Sequence, residues 1–284
     1  MPFLFPKRHS NRNLLISKEI KVLNPLFSVH ILKLRSRFLE RTVKVRIYVP
    51  STAGELRGTL LLNDGQDMEQ LRLVEILSGL VNYEEFPGIA VVSIHANENR
   101  MKEYGIAGFP DFKNRGKRAW RHSYFITKEL IPFLQTEYGL MQINQQKVFA
   151  GFSMGGLSAL DICWHNPGIF NKTGVFSGSL WWRSKNTGTP ADDDYRIMHR
   201  LIRKSKKREG LKFWFQTGTN DELVDRNKNG IIDSIDDTQD LIGELKHLGY
   251  SDNEIRYEEV TDGQHNFNTW SGIFPEFLRW AFIN

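Results

Sequence analysis

Two hydrophobic patterns alternate along the chain. Residues 29–34 (VHILKL) and 43–49 (VKVRIYV) largely alternate apolar with polar or basic positions, as half-exposed antiparallel strands do. Residues 58–62, 89–94, 148–151, 174–176 and 213–217 are short apolar runs, the pattern of strands buried on both faces. Helical periodicities lie between them. Residues 68–80 space Leu71, Val74, Leu77 and Leu80 three apart, and 119–138 repeat Phe125, Ile126, Leu130, Phe133 and Leu134, with Pro132 marking a kink or boundary. A helix predicted over 237–248 ends before Gly249, a C′ glycine; a last strand over 255–260 and a closing helix over 269–282 follow. This alternation predicts an α/β fold: a mostly parallel central sheet with antiparallel N-terminal strands and helices on both faces. One domain is expected over 26–284, with 1–25 as a patternless N-terminal arm. The long connections 96–118 and 178–194 exceed tight turns and are expected to carry function.

Composition narrows this little. With 284 residues, 40% hydrophobic and 25% charged, the chain can build one large core without a disulfide or metal staple. A single cysteine, Cys163, excludes an intramolecular disulfide. No apolar run reaches the roughly 18 residues of a membrane span. The start, MPFLFPKRHSNRN, lacks the apolar stretch of an export signal, so a cytoplasmic location is favoured, with an extracytoplasmic one open if the native start lies upstream. The net charge of +5 gathers at 113–121 (KNRGKRAWR) and 203–208 (RKSKKR). These runs read as solvated loops and helix ends, the alternative being that the first faces an acidic substrate group. No helix-turn-helix, RNP or zinc pattern accompanies them, so nucleic acid is not an expected partner.

Chemistry enters at Gly151-Phe152-Ser153-Met154-Gly155, a G-x-S-x-G between a buried strand and an amphipathic helix. A tight strand-to-helix turn pushes the serine hydroxyl out of the strand end. The glycines are needed because a Cβ would strike neighbouring backbone. The helix N-terminus beneath Ser153 favours developing negative charge. Such a nucleophile needs a base and an orienting acid. His265 is the only histidine in a loop after the last strand. For the acid, GTNDE follows the strand 213–217; Asp221 is the first candidate, with Glu222 and Asp225 as rivals. Chain order is then Ser–Asp–His. The Met154 N–H and one from the loop Asn63-Asp64-Gly65-Gln66-Asp67, that of Gln66, are the candidate oxyanion donors.

The strand ending VRIYVP, LLNDGQDM, FITKELIPFLQTEYG, GFSMGG, SGSLWW, GTNDE and DGQHNFNTW together resemble the putative esterase family of α/β hydrolases. That family includes esterase D, enterochelin esterase, feruloyl and acetyl-xylan esterases and the antigen 85 mycolyltransferases. The resemblance runs from about Leu34 to the C-terminus. It implies an α/β-hydrolase fold, Ser153 as nucleophile, His265 as base, Asp221 as acid, and Gln66 with Met154 as oxyanion donors. Where family members often carry Gly-His-x-Trp, this chain has His265-Asn266-Phe267-Asn268-Thr269-Trp270. Within SGSLWW, Trp181 is expected in the core and Trp182 against the substrate.

After Asp221 comes Asp225-Arg226-Asn227-Lys228-Asn229-Gly230-Ile231-Ile232-Asp233-Ser234-Ile235-Asp236, an EF-hand-like loop. Its expected Ca2+ ligands are Asp225, Asn227, Asn229, the Ile231 carbonyl, Asp233 and Asp236, holding a structural rather than catalytic ion that orders the segment bearing Asp221. The function expected is a serine esterase acting through an acyl-enzyme on a small-molecule or glycan-linked carboxylic ester. Alternatives are an acyltransferase of the antigen 85 type and a non-catalytic carbohydrate- or ligand-binding protein on the same fold.

Overall fold

A computed structural model describes residues 14–51, 56–81 and 88–283. Their strands are β1 (Leu15–Asn24), β2 (Phe27–Ser36), β3 (Arg41–Pro50), β4 (Gly58–Asn63), β5 (Ile89–Ile94), β6 (Gln146–Phe152), β7 (Lys172–Phe176), β8 (Lys212–Asn220) and β9 (Ile255–Gln264). They form one sheet in the order β1-β2-β3-β5-β4-β6-β7-β8-β9. From β1 to β5 neighbours run antiparallel; from β5 across to β9 every neighbouring pair is parallel. The chain thus has the α/β-hydrolase architecture read from the sequence.

The helices are α1 (Leu73–Val81), α2 (Arg100–Glu103), α3 (Ala119–Tyr124), α4 (Ile131–Tyr138), α5 (Met154–His165), α6 (Ile197–Arg203), α7 (Asp233–His247) and α8 (Phe267–Phe282). A π-helical stretch, Phe125–Leu130, joins α3 to α4, so residues 119–138 stay helical throughout. Pro132, with no N–H to donate, falls where that stretch gives way to α4. Two apolar layers cover the sheet. Leu134, Leu157, Met198 and Leu241 pack with α4–α7 on one face, and Leu71, Leu77, Phe274 and Phe277 with α1 and α8 on the other. Covering both faces lets β4, β5 and β7 be buried along their whole length, and β6 from Val148 onward. Among the described residues no helix is long and apolar enough to cross a membrane.

Three boundaries differ from the sequence reading. Residues 1–25 are not all an arm: Leu15–Asn24 is strand β1, paired antiparallel with β2, while residues 1–13 lie outside the described segments. An edge strand pairs on one side only and leaves Ile16, Ile20 and Val22 exposed, so no clean alternation marks it. The helix expected from 68 begins at Leu73, because Arg72 takes a left-handed φ of 57°. The helix after the acidic loop starts at Asp233, one turn earlier than 237, and ends before Gly249, whose φ of 92° suits a C′ glycine.

The α8 layer gives a stability test. Phe277 is fully buried, with ring centroids 5.1 Å from Phe176, 5.4 Å from Phe274 and 5.7 Å from Trp214. Phe277→Ala removes a whole ring from this stack and is expected to cost about 3–5 kcal/mol in urea unfolding. An unchanged midpoint and slope would refute this account of the packing.

Candidate active site

The parallel strands all end at one edge of the sheet, and the candidate residues sit one step beyond those ends. Phe152 of β6 pairs with Phe176 of β7, so Ser153 and Ser177 are the next residues on adjoining strands. Asn220 of β8 pairs with Gln264 of β9, so Asp221 and His265 follow as neighbours in the same way. Register therefore sets Ser153 beside Ser177, and Asp221 beside His265, although neither pair is close in sequence.

Ser153 occupies φ 54°, ψ −123°, a conformation that side chains other than glycine rarely adopt. It is held by four backbone bonds: its N–H donates to Phe176 O at 2.8 Å, and its carbonyl accepts from Gly156 N–H at 3.1 Å and from Leu157 N–H and Ser179 N–H, each at 3.2 Å. A Cβ on Gly151 would sit on the Gly155 carbonyl, and one on Gly156 would come within 2.9 Å of the Gly151 carbonyl. Those two glycines let α5 start directly against β6. Met154 is the first residue of α5, so its N–H lacks an intrahelical partner. The Ser153 hydroxyl lies 3.4 Å from that of Ser179.

The opposite wall is the loop after β4. Asp64, at a left-handed φ of 61°, starts a 3₁₀ turn over Gly65–Asp67. A Cβ on Gly65 would come within 2.8 Å of the Ser93 backbone. The Gln66 side chain is spent on the loop itself: its Oε1 accepts from Ala96 N–H at 2.9 Å, and its Nε2 donates to Asp67 at 2.8 Å. Arg100 grips Asp64 with two bonds, of 2.7 and 2.8 Å. The Asp64 N–H donates to the Tyr104 hydroxyl at 3.2 Å, and Glu103 pairs with Arg41 at 2.7 Å. Arg100, Glu103 and Tyr104 thus pin the connection 96–118.

Asp221 and His265 bias each other's ionisation. Burial raises the Asp221 pKa, while the Ser177 hydroxyl, the Gly218 backbone and the charge on His265 act to lower it. Both carboxylate oxygens are enclosed, and no well-formed hydrogen bond reaches either. Solvent reaches the His265 side chain, yet surrounding protein lowers its pKa; the Asp221 charge opposes that shift and Arg100 adds to it. The imidazole packs edge-on against Trp270, centroids 5.2 Å apart at 76°.

Trp182 is a correction. Its side chain is fully buried, its Nε1 donates to the Phe109 carbonyl at 3.0 Å, and Gly105 and Gly116 close against its ring. It is core and lines no substrate pocket. Trp181, expected in the core, is the half-exposed indole of the pair, with the Arg115 guanidinium 4.5 Å from its ring centroid. In two adjacent aromatic residues on an irregular loop, sequence carries no periodicity to say which faces inward. The basic run 113–121 is largely paired within the protein: Arg115 with buried Asp111, Arg118 and Arg121 with Glu40.

The EF-hand-like loop is assembled only in part. Asp225 accepts from the backbone N–H of Asn229 and Gly230 at 3.1 and 2.9 Å, and Asn227 and Asn229 donate to Asp236 at 2.6 and 3.3 Å. Asp233 turns away, accepting from the Arg226 backbone and guanidinium, each at 2.7 Å. Arg226, a position the motif leaves free, withdraws it from the expected ligand set. Ile231 donates its N–H to Asn229 at 2.8 Å. Among the described residues, no group of three or more His, Cys, Asp or Glu side chains is placed to hold a metal ion.

A family profile described as Putative esterase matches residues 36–281. The chain belongs to the putative esterase family. It is 21% identical over 243 residues to the uncharacterized protein YbbA of Bacillus subtilis, covering 83% of this chain and 91% of that one. It is 25% identical over 240 residues to the iron(III) enterobactin esterase of Escherichia coli K12, covering 84% of this chain and 53% of the relative, so it spans about half of that enzyme. Among solved structures, the enterochelin esterase of Shigella flexneri superposes with a TM-score of 0.70 at 20% identity, covering 91% of this chain and 58% of that one. A ferulic acid esterase superposes at 0.68 with 15% identity, covering 91% and 99%. These structural likenesses show the shared fold. At family level, the chain is a hydrolase acting on esters.

The sequence reading did not pair Asp64 with Arg100. No local motif joins them, because the pair forms across 36 positions. Asp64 has 3% of its side chain exposed and Arg100 29%. Arg100→Ala leaves that carboxylate buried without its cation and is expected to lower stability by about 3 kcal/mol, measured by chemical denaturation. Arg100→Lys, keeping the charge without the two-pronged contact, is expected to recover part of the loss.

Proposed function

We propose that this protein is a serine esterase in which Ser153 is the nucleophile, His265 the general base and Asp221 the acid that orients it. The observation that carries this reading is the strained backbone of Ser153, at the same sheet edge where strand pairing sets Asp221 beside His265. Holding a serine at φ 54° costs about 1–3 kcal/mol, a strain that persists where the surrounding structure over-determines it.

In the proposed reaction His265 takes the Ser153 hydroxyl proton as Oγ attacks the ester carbonyl. The Met154 and Gln66 backbone N–H groups, each at the start of a helical turn, stabilise the resulting oxyanion. His265 then passes its proton to the leaving alkoxide, and water activated by the same imidazole releases the acyl group. Asp221 remains ionised and stabilises the imidazolium. The substrate is a small-molecule or glycan-linked carboxylic ester, and likeness to enterobactin and ferulic acid esterases makes enterobactin and ferulate esters the first panel to test.

Ser153→Ala is expected to lower kcat by about a million-fold on any ester the protein hydrolyses. A fluorophosphonate probe should label wild type and spare the variant. Full activity or labelling in Ser153→Ala overturns the proposal, and acylation of an added alcohol instead of water would identify acyl transfer.

The pH profile supplies a second test. The active base is neutral imidazole, so kcat/KM falls as pH drops through the His265 pKa. Because burial lowers that pKa from 6.5, the acid limb is expected below pH 6.5. Asp221→Asn removes the charge that favours imidazolium, so it should move the limb lower still and cut kcat by about ten-thousand-fold. A limb above 6.5 in wild type, or one unmoved in Asp221→Asn, contradicts these roles.

We propose in addition that residues 225–236 bind Ca2+ through Asp225, Asn227, Asn229, the Ile231 carbonyl and Asp236, with Asp233 kept by Arg226. Support comes from the mutual approach of the four side chains and the left-handed turn at Gly230, φ 88°. The ion would order the segment that follows Asp221. Calcium added after exhaustive chelation is then expected to raise both Tm and activity; if neither moves, the site and the coupling are wrong.

A further inference from the structure

Behind Asp221 and His265 stands a pair of residues that the proposed chemistry has not used. Ser177 directly follows β7, next to Ser153 at the sheet edge, is 2% exposed, and takes a left-handed φ of 43°. Its N–H donates to Gln216 O at 2.8 Å, which holds it in that conformation. Its Oγ accepts the indole N–H of Trp270 at 2.9 Å. Trp270 sits in the first turns of α8, 5% exposed, stacked on Phe152 at 5.0 Å and 28°. The Asn266 side chain caps that helix by accepting from Thr269 N–H at 3.1 Å.

The hydrogen-bond inventory around this pair is uneven. An indole nitrogen only donates, so the Trp270–Ser177 bond uses a lone pair of the hydroxyl and leaves its proton free. Next to it, Asp221 is an enclosed carboxylate with no well-formed donor on either oxygen. A spare buried donor and an under-satisfied buried acceptor are costly apart and complementary together. The Gly218 side of Asp221 is closed, since a Cβ there would lie 2.9 Å from Oδ1.

We infer that Ser177 and Trp270 are positioning residues for the acid and the base. The indole N–H fixes the Ser177 hydroxyl so that its proton is given to Asp221, and the indole edge-on to the imidazole backs His265. One tryptophan thereby sets the orientation of both partners. Neither residue touches substrate; each acts through Asp221 or His265. The inference rests on the Ser153–His265–Asp221 reading.

The test measures kcat and KM for a p-nitrophenyl ester across pH for wild type, Ser177→Ala, Trp270→Phe and the double variant, with Ser153→Ala as the blank. Trp270→Phe keeps an aromatic ring at this position and removes the indole N–H. Ser177→Gly, which accepts the left-handed backbone, is the second hydroxyl-free variant. Ser177→Ala and Ser177→Gly are expected to lower kcat about 10–100-fold with little change in KM, the size of losing a hydrogen bond to a charged group. Without the shared proton the Asp221 charge acts more strongly on imidazolium, so the acid limb should move to higher pH. Trp270→Phe should shift it the same way, and the double variant should be no worse than Ser177→Ala alone. Additive losses, or a lower Tm with an unmoved acid limb, overturn the inference. If Ser153→Ala keeps activity, the triad reading itself has failed; if it is dead while the Ser177 variants keep the wild-type limb, only this inference has.

Discussion

The close approach of β6 to α5 is the constraint on which the candidate site depends. Gly151, Gly155 and Gly156 crowd together at the crossing, and a methyl group at Gly151 or Gly156 would collide with backbone. Only with that approach can Ser153 turn within a single residue from strand to helix. Its left-handed backbone then places the helix's unpaired N–H groups beneath the hydroxyl. The Ser153 carbonyl is tied back to Ser179 N–H, so the loop after β7 is fixed by the same turn. Geometry at one point of the sheet edge is passed sideways to the next strand.

Around this turn the protein organises buried charge by pairing rather than by exclusion. Asp64 with Arg100, Glu103 with Arg41, Asp111 with Arg115, and Asp237 with Arg196 and Arg226 each match a buried acid to a guanidinium. Desolvating such pairs consumes much of their Coulomb attraction, so their net effect on stability is small while the cost of breaking one is large. That asymmetry suits loops that must hold one conformation. The first three of these pairs tie down the connection 96–118. Arg226 shows the same force working against a motif. Its attraction for Asp233, Asp193 and Asp237 holds Asp233 at the base of α7 and out of the acidic loop.

What could be read from sequence follows from the range of the interaction that specifies it. Central strands β4 to β8 announce themselves because burial on both faces demands continuous apolar runs, and the strand-to-helix turn at Ser153 because its glycines lie within one short segment. Asp221 and His265 were readable from strand order, since each falls just past a strand end. Strand β1 was missed because it pairs along one edge and buries little. Trp181 and Trp182 were exchanged because facing on an irregular loop is set by Phe109, Gly105 and Gly116, contacts no local pattern encodes. Ser177 and Trp270 lie 93 positions apart, and nothing in either segment names the other.

The sequence left three acids competing for one role, and their surroundings separate them. Asp225 spends its oxygens on the backbone N–H groups of Asn229 and Gly230, closing its own loop. Glu222 is pushed up to about 7 by burial first and then by Asp233 and Asp237, so near neutral pH it carries only part of a charge. A group half-protonated where the base must work stabilises imidazolium poorly. Asp221 also feels burial, which raises its pKa, but the Ser177 hydroxyl, the Gly218 backbone and the His265 charge all act against that rise. An acid set beside the imidazole, with a hydroxyl and a backbone group favouring its ionised form against burial, is physically suited to orient that imidazole. By the same logic the acidic neighbours work against Glu222: each further carboxylate near it makes its own ionisation harder.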